Sequence, residues 1–301
     1  MLSISFHTLG CKLNQLETES IAEVFKREGF TLVPWGAPAD IFVVNTCTVT
    51  SKAEQKARRT IRKALKDNPA ACCIATGCYA QLDAVALEGL STDGRVIVVP
   101  GEHKDSLLDL PAYLASSGCN SADVLPLLHR WVAEGRTGTM QHADPFRFDV
   151  TDFSYHSRAF IKIQDGCNNV CSFCRVRLAR GKSTSLDAAT ILERLRVLEA
   201  HGFSEAVLTG VNLNQYRDGT MGFTELLEYL LSGTSQLALR ISSTEPEGVD
   251  ESFARVAAHP RIRPHFHLSV QSGSDAILSR MRRRYRAGAV REAVRLLLSA
   301  T

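Results

Sequence analysis

Residues 159–174 read AFIKIQDGCNNVCSFC, an apolar run of strand length that passes straight into a loop carrying Cys167, Cys171 and Cys174. An apolar stretch rich in β-branched and aromatic residues and bounded by a turn signal reads as a buried strand. In βα folds the loops at the carboxyl ends of the strands form the active face, so both the place and the spacing C-x-x-x-C-x-x-C point to chemistry. Three thiolates on one short loop can grip three irons of a cubane cluster and leave the fourth open to a small molecule. Structural zinc instead takes four closed ligands, and this loop has three cysteines and no histidine.

Downstream of this loop, apolar runs at 205–209, 238–242 and 265–270 alternate with amphipathic stretches at 187–201, 223–231, 251–259 and 289–299. With the strand at 159–164 they make four βα units. A (β/α) barrel has eight, so the expectation is a partial barrel, truncated after about four strands, whose last edge needs a cover. Upstream, strands at 3–7, 40–45, 72–76 and 95–99 alternate with helices at 16–28, 52–66, 81–90 and 104–115. That alternation predicts an open parallel sheet with helices on both faces. Between the halves the pattern loosens around Gly118, Gly135, Gly138 and Pro145, with a helix near 124–134. The expected organisation is α/β throughout: a first domain at 1–116, a linking region at 117–156 and a second domain at 157–301.

With 301 residues, 45% hydrophobic and 22% charged, the composition is that of a soluble globular chain. No run approaches the roughly 18 apolar residues of a membrane span, and the first ten residues lack a signal peptide's pattern, so a cytoplasmic protein with no membrane partner is expected. Nine cysteines, an odd number, then point to metal or redox chemistry rather than a disulfide framework. Cys11, Cys47 and Cys78 each follow one of the first three predicted strands, beside Gly10, Thr46 and Gly77. Open α/β sheets bind ligands at that edge, so these three thiols should converge there. Cys72 and Cys73 lie inside an apolar strand and read as small buried hydrophobes, and Cys119 as an uninvolved thiol.

The net charge is only +3, but the basic residues are clustered. Lys52, Lys56, Arg58, Arg59, Arg62, Lys63 and Lys66 crowd one predicted helix, and Arg280, Arg282, Arg283, Arg284 and Arg286 form a second run. Either run can be a solvated helix face. The first begins a few residues after Cys47, and lysine and arginine there could neutralise the phosphates of an RNA stem, with Lys56, Arg59, Arg62 and Lys63 as the candidates. In the second half Gly210, Asn212, Ser243, Glu245 and Gln271 follow successive strands, where a bound cofactor's amine and hydroxyls need polar partners.

The loop at 167–174, with Phe173 in the aromatic position, resembles the signature of the radical S-adenosylmethionine enzymes. Together with GCKLNQLETE, ADIFVVNTCTVT, TGCYAQ, ARGKS, LTGVNLNQY, SSTEP, HFHLSVQSGSD and MRRRY, it is similar to the methylthiotransferases of that group, most of all the branch acting on N6-threonylcarbamoyladenosine beside the tRNA anticodon. The resemblance implies two 4Fe-4S clusters. Cys167, Cys171 and Cys174 would hold the one that binds S-adenosylmethionine, beside Phe173, and whose reductive cleavage of it releases a 5'-deoxyadenosyl radical. Cys11, Cys47 and Cys78 would hold an auxiliary cluster that supplies sulfur. It also implies tRNA as a partner and an electron donor such as flavodoxin or ferredoxin, and leaves the sulfur source open.

Two departures accompany the resemblance. Arg175, Val176, Arg177 and Leu178 stand where relatives carry apolar residues and a proline. The rest of the barrel and a C-terminal RNA-binding domain, usual in relatives, are also missing from these 301 residues. Two other readings therefore stand beside the first: an iron–sulfur and tRNA-binding remnant without turnover, and a methylthiotransferase acting on a ribosomal protein.

Overall fold

In a computed structural model, which describes residues 2–135, 144–151, 153 and 158–300, the chain divides into two units. One comprises Met1–Ser154 with Leu178–Arg180, the other Tyr155–Arg177 with Gly181–Thr301.

The first unit runs β1 (Ser3–Thr8), α1 (Lys12–Arg27), β2 (Thr31–Leu32), β3 (Ile41–Thr46), α2 (Ser51–Asp67), β4 (Cys72–Gly77), α3 (Cys78–Leu82), α4 (Ala84–Glu88), β5 (Val96–Pro100), a 3-10 stretch Gly101–Leu108, α5 (Leu110–Ser116) and α6 (Val124–Ala133). Its five strands pair in parallel in the order β2-β1-β3-β4-β5. Successive side chains of a strand point to opposite faces, so each strand feeds two cores. Val43 and Cys72 join Ile4, Phe6, Phe25 and Trp131 on one face; Phe42, Val44 and Cys73 join Ile61, Leu65 and Val98 on the other. A strand buried on both sides reads as a continuous apolar run, which is why β3 and β4 were visible in the sequence.

The structure corrects several boundaries. β2, two residues long, is too short to leave a pattern. The helix expected at 81–90 breaks at Asp83, whose non-helical backbone ends α3 and whose carboxylate accepts from Ala86 N–H at 3.2 Å to start α4. The helix expected at 104–115 winds first as 3-10 and becomes α-helical at Leu110, with Pro111 in the first turn where no N–H is needed. Val124, Leu127, Leu128 and Trp131 of α6, and Phe148 beyond it, pack into the first unit's core. The portions of the expected linking region at 136–143, 152 and 154–156 lie outside the described residues, as does 157, the first residue of the expected second domain.

The second unit runs β6 (Ala159–Lys162), β7 (Gln164–Asp165), α7 (Val176–Arg180, its last three residues grouping with the first unit), β8 (Thr184–Ser185), α8 (Ala188–Ala200), β9 (Glu205–Thr209), α9 (Phe223–Gly233), β10 (Ala238–Ile241), α10 (Glu251–Ala257), α11 (Asp275–Arg280) and α12 (Ala287–Ala300). β6, β9 and β10 form a parallel sheet in chain order, and β7 and β8 an antiparallel ribbon. The strand expected at 265–270 is not a regular strand. The chain there touches β10 and its extension at two isolated bridges, Leu239 to Ile262 and Thr244 to Leu268. Arg263 N–H donates to Leu239 O at 2.9 Å and Ser269 N–H to Thr244 O at 2.9 Å, but the next donor in line, His265 N–H, turns back to Arg263 O at 2.7 Å, and the ladder lapses between them.

Candidate cluster sites

The strand order of the first unit reverses direction between β1 and β3. In doubly wound sheets that reversal opens a crevice beyond the strand ends. Cys11, at the start of α1, and Cys47, after β3, flank it; Cys78 opens α3 one strand further on. Gly10 shows how closely the first two loops approach: a Cβ there would lie 2.9 Å from both Cβ and Sγ of Cys47, and its φ of +108° also excludes a side chain. Asn14 ties the same loops together. Its Nδ2 donates to Leu9 O at 2.7 Å and Thr46 O at 3.1 Å, while Asn45 Nδ2 donates back to Asn14 O at 3.0 Å. Cys11 is exposed, Cys78 half-buried and Cys47 buried. Burial pushes the Cys47 thiol up, Val49 N–H pulls it down, and the neighbouring Cys78 and Cys11 thiols push it further up. Cys72, pushed up to about 12 by burial, and Cys73, pushed up by full burial, are sealed in the core.

In the second unit Cys167 N–H donates to Gly181 O at 3.2 Å, Asn169 N–H to Cys167 Sγ at 3.4 Å, and Cys174 N–H to Cys171 O at 3.1 Å. Gln164, wholly buried, organises the loop. Its amide donates to Asp165 O, Gly166 O and Ser183 Oγ within 2.7–2.9 Å and accepts from Asn212 N–H at 2.8 Å. Glu245 accepts from Asn169 Nδ2 at 3.0 Å, from Asn212 Nδ2 at 3.1 Å and from Arg283. Asn212 and Glu245, both expected from the sequence, thus stand together at the loop, and Asn212 Oδ1 is buried with no hydrogen-bond partner among the described residues. Gly210 packs against Gln164 and Leu213. Ser243 bonds His267 Nδ1 at 2.7 Å, Gln271 is exposed, and Phe173 is 49% exposed on the loop. Gln164, Asn169 and Arg283 were missed; a glutamine ending an apolar strand was the available signal for the first.

Burial raises the Cys167 and Cys174 thiols. The Asn169 N–H and Asn212 side chain pull Cys167 down, and the charges of Glu245 and Cys171 push it up. For Cys174 the Val176 N–H pulls down and Cys171 pushes up. Among the described residues, no three His, Cys, Asp or Glu side chains already stand at metal-holding distance. Thiols without a metal repel as they ionise, and a metal both displaces their protons and draws them in. Two sets of three soft donors are the ligand chemistry of iron–sulfur clusters, and in that sense the residues fit.

The sequence matches the family described as uncharacterized protein family UPF0004 over residues 3–98 and the radical SAM superfamily over residues 161–301. The threonylcarbamoyladenosine tRNA methylthiotransferase MtaB of Treponema pallidum is 42% identical, over 98% of this chain and 70% of its own. The chain belongs to this methylthiotransferase family. The Aquifex aeolicus methylthiotransferase of the same name is 33% identical over 99% of this chain and 70% of its own, and the Bacillus subtilis one 34% identical over 95% and 61%. In fold, the chain is similar to the radical S-adenosylmethionine methyltransferase TsrM of Kitasatospora setae, with a TM-score of 0.58 at 15% identity, over 99% of this chain and 67% of that one. As a radical SAM methylthiotransferase the chain is an enzyme that uses S-adenosylmethionine and iron–sulfur chemistry. No described helix is long and apolar enough to cross a membrane.

Proposed function

We propose that this chain adds a methylthio group to C2 of N6-threonylcarbamoyladenosine beside the anticodon of tRNA. The observation that carries the reading is the pairing of two cysteine trios, one spread over the ends of the parallel strands of the first unit and one on a single loop after β6 and β7, in a chain 42% identical to a protein of that named activity. Cys167, Cys171 and Cys174 would hold one 4Fe-4S cluster, and Cys11, Cys47 and Cys78 a second. When bound, these groups supply one-electron cleavage of S-adenosylmethionine and a source of sulfur, chemistry that no side chain provides on an inert purine C–H bond.

The chain's own residues bind and orient. Asn212 and Glu245 present a buried acceptor and a carboxylate beside the cysteine loop, suited to an amine and to ribose hydroxyls. Asn14 and Asn45 hold the Cys11 and Cys47 loops in register, so that the thiols do not spend entropy finding one another. Along α2, Lys56, Arg59, Arg62 and Lys63 are exposed opposite the buried Ala57, Ile61, Ala64 and Leu65, a face for tRNA phosphates. Reducing electrons would come from a flavodoxin or ferredoxin.

Anaerobic reconstitution tests this, with iron counting, a cofactor-cleavage assay and mass analysis of RNA bearing the modified adenosine. About eight irons per chain, 5'-deoxyadenosine and a methylthio mass increment are expected. Cys167→Ala should abolish cleavage; Cys47→Ala should spare cleavage and stop sulfur insertion. Full insertion by the Cys47 variant, or cleavage without any change to the RNA, overturns the assignment.

A further inference from the structure

The second basic run is no uniform surface. Arg280, Arg282, Arg284 and Arg286 are exposed, but the Arg283 side chain is only 5% exposed. Arg282 adopts left-handed backbone, φ +57°, which costs a non-glycine residue on the order of 1 kcal/mol. Its neighbour Arg283 points inward. There Nη1 donates to Cys171 Sγ at 3.2 Å, Nη2 donates to Glu245, and the guanidinium lies 4.9 Å over the Tyr285 ring. The Tyr285 hydroxyl in turn donates to Ser269 O and, at 3.0 Å, to Val270 O. The backbone of this run holds the same loop: Ser172 N–H donates to Met281 O at 3.1 Å and Ser172 Oγ to Arg280 O at 3.0 Å. Arg283 Nε is buried with no hydrogen-bond partner among the described residues.

We propose that Arg283 is a positioning residue for the cluster held by Cys167, Cys171 and Cys174: anchored by Glu245, it fixes the Cys171 sulfur and sets a permanent positive charge beside the cluster. The proposal rests on the reading that these cysteines hold the cluster. Hydrogen bonds to cluster sulfur and nearby charge set an iron–sulfur centre's reduction potential. A guanidinium stays protonated at any working pH, and its planar fork serves two partners from one side chain. Reduction adds negative charge, so a cation on the sulfur favours the reduced state. Glu245 sets the size of that effect, because its carboxylate cancels part of the charge it anchors.

The test is a redox titration of the reconstituted full chain without S-adenosylmethionine, following the cluster signal that Cys171→Ala removes. Arg283→Gln should shift the ratio of oxidised to reduced cluster about tenfold toward oxidised at a fixed solution potential, ~59 mV for a one-electron couple. Arg283→Lys, which keeps the charge and loses the fork, should recover most of that shift. Glu245→Gln, which removes the opposing charge, should move the ratio the other way. A merely structural role predicts none of these signs. If Arg283→Gln loads no iron, the Arg283→Lys and Glu245→Gln variants decide. Unchanged potentials in every variant that loads overturn the proposal. If Cys171→Ala removes no signal and no iron from the parent, the cluster reading itself has failed, which is a different result.

Discussion

Lys104 Nζ lies 2.6 Å from Glu17 Oε2, with the two side chains 3% and 2% exposed. The same ammonium donates to Asn45 Oδ1 at 3.0 Å, which links this buried pair to the β3 end that precedes Cys47. Removing one partner of such a pair leaves the other charge buried and poorly compensated. Glu17→Ala should therefore lower stability by about 3–5 kcal/mol in denaturant unfolding. A loss below about 1 kcal/mol would mean that water reaches the pair.

Gly166 turns the chain from β7 into the cysteine loop with φ +67°, and a Cβ there would sit 2.0 Å from Lys182 O. Backbone cannot yield as a flexible side chain can. Gly166→Ala should destabilise by more than about 1 kcal/mol and reduce the iron retained by Cys167, Cys171 and Cys174. Parent-like iron content and melting temperature would show that the loop takes another path.

Glu205 joins Arg240 at 2.6 Å and Arg263 at 2.8 Å, with Arg158 at 3.5 Å. Burial alone would raise its carboxyl, but the hydrogen bond and charge of Arg240, then the hydrogen bond of Arg263 and the charge of Arg158, outweigh burial and hold it below its ordinary value. A carboxyl depressed by folding contributes stability that is present above its unfolded value and is lost as pH falls through its folded one. The parent should lose stability from about pH 5 downward, and Glu205→Gln should show a shallower loss over that window. Identical acid limbs in the two unfolding profiles would remove Glu205 from the account.

The charges on α2 predict salt behaviour. Arg59→Ala or Arg62→Ala should weaken tRNA binding whatever the anticodon sequence, and each should reduce the slope of log affinity against log salt by about one. A parent-like slope in a double variant would place the tRNA elsewhere.

Strands β3 and β4 and the cysteine loop were legible because burial on both sheet faces writes an unbroken apolar run, and because three close thiols announce soft-metal ligation without any knowledge of the fold. α2 was legible from its period. The two-residue β2, the break at Asp83 and the missing regular strand at 265–270 were not, since each depends on a neighbour or on a single cap rather than on a pattern. By sequence alone this protein declared its α/β class, its two cysteine trios and the family to which they belong. Tertiary structure alone decided that Gly10 lies against Cys47, that Asn14 bridges two loops, and that Arg283 leaves the surface of its basic run for Cys171 and Glu245. Local periodicity records which face of an element meets the core; it carries no record of which distant polar group that face will meet.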